Sequence, residues 1–436
     1  MATVQEFSFA EFVKSILWLT FWILVIFTLI LLPIIFIVLF YVPAPEIAGI
    51  EMNPYLLLTM LVNPQIGAPL INLTLDQPFF RVAVFPGFTF AALFATAIIF
   101  VERKFLAKMQ IRVGPYYAGR EVFWWARSLE GILQMLADLL KLLGKEVIIP
   151  AGADKPIFWA APVVLVVAST ALISVIPAGP GWVIADIDVG LLVVFAILGF
   201  FPLTALLASW ASNSKYPFIG GLRALHQMIA YEIPLILSVL GVVILSGQLN
   251  LSKIVAAQEP YWYILLLPVG AFVFFITALA ELERVPFDLP EAESEIVAGW
   301  LTEYSGMSYG LIQLASYIKL YALAGLFVTL FLGGWMGPLP LAFLGSNAPS
   351  GVDLFGVELL STQEAVGILW FVVKTFGIAV LMLLPRGINP RIRIDILLRT
   401  GWAKLIAISF INIFIALALL YLGVAGPAGP VGVISP

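Results

Sequence analysis

Cysteine is absent from the 436 residues, so the chain holds no disulfide and cannot ligate an iron–sulfur cluster through thiolates. Histidine occurs once, at His226, which excludes a haem held between two histidines of this chain. His226 itself reads as a polar residue at a helix start. No Walker loop, dinucleotide fingerprint or zinc-protease helix motif is present, so the chain has no nucleotide site of those types and no electron carrier of its own. Charge is scarce as well, at 11% of residues against roughly a quarter in soluble domains.

Apolar residues fill that space. They make up 62% of the chain, and the mean hydropathy is +1.07. That balance describes a polytopic membrane protein. Runs long enough to span lie near 16–42, 83–101, 157–177, 189–209, 228–247, 262–280, 309–332, 366–385 and 404–424, predicting an all-α bundle of about nine transmembrane helices. The first run is too long for a signal-peptide core and is preceded by Glu6 and Glu11, so it reads as a retained helix.

Lysine and arginine predict the orientation. The loop from Arg103 to Lys155 carries nine of them, and 18 of the 22 basic residues fall in alternate loops. By the positive-inside rule the N-terminus and those loops face the cytoplasm, and loop 43–82 faces outward. Between the second and third spans lies a segment too short and too amphipathic to cross. Over 129–147, Ile132, Leu133, Met135, Leu136, Leu139, Leu140, Leu142 and Leu143 form an apolar face, with Gln134, Asp138, Lys141 and Lys145 opposite. Such a helix is expected to lie in the membrane interface, where it could form the lip through which a lipid-soluble substrate enters.

The stretch from Ala280 to Met307 breaks the charge trend of its own side. Glu281, Glu283, Asp288, Glu291, Glu293, Glu295 and Glu303 share it with a single Arg284. If Glu291 to Glu303 is helical, Glu291, Glu295 and Glu303 recur at multiples of four on one face. Like charges packed so closely should push some of these acids above their solution values. A proton reservoir, a docking surface for a basic partner and a plain solvated loop all fit the charge pattern. Three further ionisable groups fall inside predicted spans: Glu232 about a turn into the fifth, Lys319 in the seventh and Lys374 in the eighth. Intramembrane charges are functional candidates by default, against a snorkelling lysine or an interfacial glutamate.

Several motifs then occur in a fixed order. They are Val101-Glu-Arg-Lys, Gln110-Ile-Arg-Val-Gly-Pro, Leu136-Ala-Asp-Leu-Leu-Lys141, Gly181-Trp-Val-Ile-Ala-Asp186 and Trp210-Ala-Ser-Asn-Ser-Lys-Tyr. Leu222-Arg-Ala, Tyr231-Glu-Ile-Pro, Pro286-Phe-Asp-Leu-Pro-Glu-Ala-Glu, Glu303-Tyr-Ser-Gly, Phe331-Leu-Gly-Gly-Trp and Arg386 through Asp395 follow. Over about 83–424 the chain closely resembles the H-type (subunit 1) membrane protein of proton-pumping NADH:quinone oxidoreductase, respiratory complex I.

The resemblance implies a non-autonomous enzyme subunit in an energy-converting membrane, most simply a prokaryotic cytoplasmic membrane. It would sit where the peripheral arm meets the membrane arm. With quinone-site peripheral subunits it would form the quinone chamber, with other membrane-arm subunits and lipids around it and no nucleic-acid partner. Quinone would be substrate rather than a covalently held group, and flavin and iron–sulfur clusters would belong to partner subunits. Chamber and coupling path would draw on Asp138, Tyr231, Glu232, Glu281, Asp288, Glu291, Glu293, Glu295 and Glu303, and Arg103, Arg112, Arg284 and Arg386 would brace the cytoplasmic loops against partners. No residue here would be catalytic and none would bind metal.

Departures from the family pattern divide the chain into an N-terminal extension, 1–82, and a family domain, 83–436. The stretch 121–130 is extra, loop 336–365 is long, and Ser316-Tyr317 stands where the family often has Glu-Tyr, with Lys319 nearby. Two other readings compete. One is the membrane anchor of a related ion-pumping hydrogenase or deazaflavin-dependent oxidoreductase. The other is a secondary transporter, which the missing inverted repeat disfavours.

Overall fold

The computed structural model describes residues 78–116, 131, 133–259, 261–291, 293–337, 351–354, 357–388 and 392–423. The first apolar run, most of the loop after it and the 121–130 stretch lie outside the described residues. The helices are α1 (Pro78–Ala83), α2 (Phe88–Met109), α3 (Leu133–Gly144), α4 (Lys155–Val175), α5 (Gly190–Leu198), α6 (Phe200–Ala211) and α7 (Lys215–Ser246). After them come α8 (Leu251–Ala256), α9 (Tyr263–Leu266), α10 (Pro268–Glu281), α11 (Glu293–Ile296), α12 (Gly306–Phe331), α13 (Thr362–Ile388), α14 (Ile394–Arg399) and α15 (Ile406–Tyr421). A two-stranded antiparallel hairpin, β1 (Gly351–Leu354) and β2 (Val357–Ser361), precedes α13. Among the described residues the fold is all-α apart from that hairpin.

Among the described residues seven helical spans are long and apolar enough to cross a membrane: Arg81–Met109, Lys155–Val175, Gly190–Ala211, Lys215–Ser246, Gly306–Phe331, Glu364–Ile388 and Ile394–Tyr421. Each coincides with a predicted run. The run 262–280 behaves differently, because it breaks at Leu267 into α9 and α10. Pro268 has no amide to continue the ladder. The 14 residues of α10 rise only about 21 Å, short of a hydrocarbon core of roughly 30 Å.

One predicted boundary moves far. The fifth span starts at Lys215 rather than near 228, because Lys215, Arg223, His226 and Gln227 lower its hydropathy without ending the helix. The extra turns are held by packing on the 3₁₀ turn Gly299–Leu301. There a Cβ added to Gly220 would stand 2.5 Å from the Trp300 nitrogen. Glu232 therefore sits mid-helix rather than a turn from its start. His226 likewise lies inside α7, its Nδ1 donating to the Leu222 carbonyl at 2.7 Å.

The core is built around α12, which packs on α2, α3, α4, α10 and α13. Every residue from Tyr317 to Phe331 is buried. Burial on every side makes it an interior helix of the bundle rather than a lipid-facing one. Lys319 consequently has no lipid or water face toward which to snorkel. At the far end of α12, Lys374 donates to the carbonyls of Leu332 (2.6 Å), Gly334 (3.0 Å) and Met336 and lies 4.4 Å over the Trp262 ring. That ammonium satisfies carbonyls left open where the helix ends. Helix α3 shows Leu136, Leu139, Leu140 and Leu143 to the exterior, while Met135 is buried and Leu142 packs toward Gly310.

Candidate functional site

The acidic loop folds back as a series of turns. Val297 (φ 66°) and Gly299 (φ 56°) are left-handed, so α11 ends after one turn and the predicted shared face of Glu291, Glu295 and Glu303 does not form. Gly299 is obligatory there: a Cβ would stand 1.6 Å from the Pro290 carbonyl oxygen. Gln227 of α7 clamps the loop from below, its Nε2 donating to the carbonyls of Ala280 (2.8 Å) and Phe287 (2.7 Å).

Two charge clusters result. The first centres on Glu102, in the last turns of α2 and 2% exposed. Arg284 Nη1 donates to both carboxylate oxygens at 3.0 and 3.2 Å, Tyr317 Oη donates to Oε2 at 2.8 Å, and Arg386 of α13 donates to Oε1. The Arg284 guanidinium also lies 4.4 Å from the Tyr317 ring centre. One acid and two guanidiniums thus join α2, the acidic loop, α12 and α13.

The second cluster lies across α12, since Tyr317 and Lys319 are two residues apart and project on nearly opposite sides of a helix. Lys319 Nζ donates to Glu281 Oε1 and to the Glu281 carbonyl, both at 2.8 Å, and sits 4.1 Å over the Phe201 ring. Both partners are about 4% exposed. Glu232 is half-buried on α7, facing the break between α5 and α6 at Gly199, and the charge of Lys319 reaches it. Beside the pair is a cavity of about 40 Å³ lined by Glu281, Glu283, Trp300, Ser316, Lys319 and apolar side chains. Glu283 enters with left-handed backbone (φ 52°) and a buried Oε1, beside the Trp300 indole. Burial first, and the charge of Glu291 second, push its pKa up to about 8, with Lys319 and the Trp300 indole opposing.

The predicted residues fall around these clusters unevenly. Tyr231 is fully buried, donates to the Leu397 carbonyl at 3.0 Å and meets the Phe287 ring edge-on. Asp138 pairs with Arg103 and accepts from Gln134 Nε2 at 3.0 Å. Burial works against it, but Arg103 holds its carboxyl below the usual carboxylate range. Glu295 is exposed and pairs with Arg223 at 2.6 Å. Asp288, Glu291 and Glu303 are half-buried, Glu293 lies in α11, and Arg112 is exposed, reaching Gln110. Arg284 and Arg386 both turn inward to Glu102.

Glu102, Glu283 and Trp300 were not among the sequence-derived site residues. Glu102 had a legible signal, a lone carboxylate closing an apolar run. Glu283 had none beyond being one acid among seven. Among the described residues no group of three or more His, Asp or Glu side chains converges as a metal site.

Comparisons with known proteins agree on one family. A family model described as NADH dehydrogenase matches residues 82–417. The chain is 44% identical over 338 residues to the H subunit of the NADH-quinone oxidoreductase of Bacillus cereus (strain B4264), covering 77% of this chain and 92% of that protein. The protein of the same description from Bacillus thuringiensis subsp. konkukian (strain 97-27) is similar to the same extent, 44% over 338 residues with the same coverage.

Proposed function

The chain belongs to the NADH dehydrogenase family, and from that premise we propose that it is a membrane subunit of a proton-translocating NADH:quinone oxidoreductase. In that role it forms part of the quinone chamber at the junction with the peripheral arm and the acidic entry to the proton path. It is non-catalytic itself, since electrons arrive on carriers of partner subunits.

One observation carries the reading: the buried Glu281–Lys319 pair with a cavity at its side, linked electrostatically to Glu232 and to the acidic loop. A buried acid whose charge is balanced by a nearby cation responds when a quinone close by takes up electrons and protons. Arg103–Asp138, Arg223–Glu295 and the Glu102 cluster all gather at this same end of the bundle. In the proposed orientation that end, with the N-terminus, faces the cytoplasm, as the basic loops require. The exterior leucines of α3 suit a helix lying in the interface, where a lipid-soluble quinone would enter. The full bundle then has nine crossings, counting run 16–42 within the extension 1–82 and α9–α10 as one.

Glu232→Gln tests the coupling role, because it removes the charge and nearly preserves volume. In the assembled complex, quinone-linked turnover and proton translocation should fall together when both are normalised to donor oxidation by an artificial acceptor. Normal quinone turnover and pumping would falsify the reading.

A further inference from the structure

Helices α2 and α4 both pack on α12, and an open groove of about 360 Å³ lies between the start of α2 and the end of α4. Val82 of α1, Phe88 of α2, Val167, Thr170 and Ser174 of α4, and Ile184 of the loop after α4 line it. Small side chains are frequent along it. Ala171 joins Thr170 and Ser174 on α4, while Ala92 and Thr96 continue the unburied line that Phe88 begins on α2, at steps of four residues. The hydroxyls are satisfied within their own helices: Thr96 donates to the Ala92 carbonyl at 2.8 Å, Thr170 to that of Val166 at 2.8 Å and Ser174 to that of Ala171 at 2.7 Å. The groove therefore calls for apolar volume rather than a polar ligand. Lipid tails are as apolar as leucine, so helices in a membrane associate where small residues let their backbones approach. The exterior of α15 is the contrast, a bulky face of exposed Phe410, Ile411, Phe414 and Leu417 that suits lipid.

Where the chain enters the bundle indicates the occupant. Helix α1 supplies Val82 to the rim, so the extension joins the family domain at the groove itself. That junction is pinned: Arg81 donates to the carbonyls of Gly181 at 3.5 Å and Val183 at 3.4 Å, and its guanidinium lies 5.8 Å from the Trp182 ring centre. The apolar run 16–42 belongs to the same extension, outside the family match at 82–417, and contains no Gly, Ala or Ser. Bulky side chains on the run thus complement small ones along the groove. A covalent link makes such docking intramolecular, which raises the effective concentration of the run far above that of any free helix.

We propose that the run 16–42 crosses the membrane against this groove, antiparallel to α2 and alongside α4. The extension is then an additional helix of the bundle, built into the chain, that shields the α2–α4 face from lipid. In the orientation proposed above, residues 30–42 lie in the outer half and fill the groove. The inference rests on that orientation and on the run spanning, not on the coupling role of the acids.

The test uses the assembled complex in its membrane. Introduced thiols are the only ones in this chain, because it has no cysteine. Thr170→Cys is combined with a cysteine at each position from 16 to 42 in turn, and a protease site is placed within 43–77. After oxidation and cleavage, disulfides should hold the two fragments together on a non-reducing gel. Cross-links should fall in the outer half of the run, with maxima every three or four positions. Maxima near 16–24 would reverse the run and overturn the arrangement; no cross-links, or equal ones to Phe414→Cys, would overturn the docking. A second measurement identifies what covers the groove. Val167 and Phe414 are comparably exposed, 61% and 68%. Val167→Cys should react with a membrane-soluble thiol reagent several-fold more slowly than Phe414→Cys, and deletion of 1–77 should bring it to the same rate. Equal rates in the full chain mean lipid in the groove, and protection that survives the deletion means another subunit covers it; either overturns the inference. Neither readout depends on quinone turnover, so a failed cross-link leaves the coupling role standing, and normal turnover of Glu232→Gln leaves the docking intact.

Discussion

The two buried charge clusters stand on opposite sides of one helix, yet they are built on opposite terms. Around Glu102 the cations are in surplus: Arg284 and Arg386 share one carboxylate, and Tyr317 fills its other oxygen. Around Lys319 the acids are in surplus: Glu281, Glu283 and Glu232 share one ammonium, and a cavity lies alongside. Guanidinium does not deprotonate under protein conditions, so the surplus charge of the first cluster is fixed. Carboxylates can take a proton, so the surplus charge of the second is not. Glu283 and Arg284 are chain neighbours, and the loop thus divides between a fixed brace and a titratable site within one peptide bond.

The difference should be largest under deletion. Glu102→Gln strands a buried Arg284 that cannot discharge, a loss of about 3–5 kcal/mol for breaking a buried pair. The expected result is near-absence of assembled complex on native gels, with normal assembly contradicting the brace. The double change Glu102→Leu with Arg284→Met removes both charges at similar volume and should recover much of the assembly. Arg386, 43% exposed, can turn to solvent.

Lys319→Met sharpens the contrast. It strands Glu281, which can neutralise itself by binding a proton, so assembly should survive far better than in Glu102→Gln. Quinone-linked turnover should instead fall roughly tenfold, about 1.4 kcal/mol of barrier. Loss of assembly as severe as that of Glu102→Gln would erase the distinction between the clusters.

The smallest effect belongs to the opposite end of the bundle. Lys253 and Asp188 pair at 2.8 Å with side chains 56% and 85% exposed. An ion pair in water contributes little after entropy and screening. Lys253→Ala should leave thermal stability and assembled amount unchanged, and a measurable loss would mean that this end contacts something.

How much of this was legible follows from range. Periodicity and hydropathy are local, so they located the spans; they missed the start of α7 because Lys215, Arg223 and His226 look like a loop until residues 299–301 pack against them. The acids of the loop were legible as a group. Their sorting was not, because it depends on left-handed turns at Val297 and Gly299 and on partners far off in the chain, Glu102 for Arg284 and Lys319 for Glu281. Lys319 was recognisable as a buried charge, but its partner could not be read from spacing.

The left-handed backbone at Glu283 carries a consequence for mutational drift. A side chain at φ 52° is tolerated readily for Gly and Asn, less so for other unbranched residues, and poorly for Val or Ile. The position is therefore narrow in shape and open in chemistry. A saturation library read out by assembly should retain Asn, Asp and Gly and discard the β-branched residues. The backbone would then allow this site to gain or lose its acid in a single substitution while the turn persists.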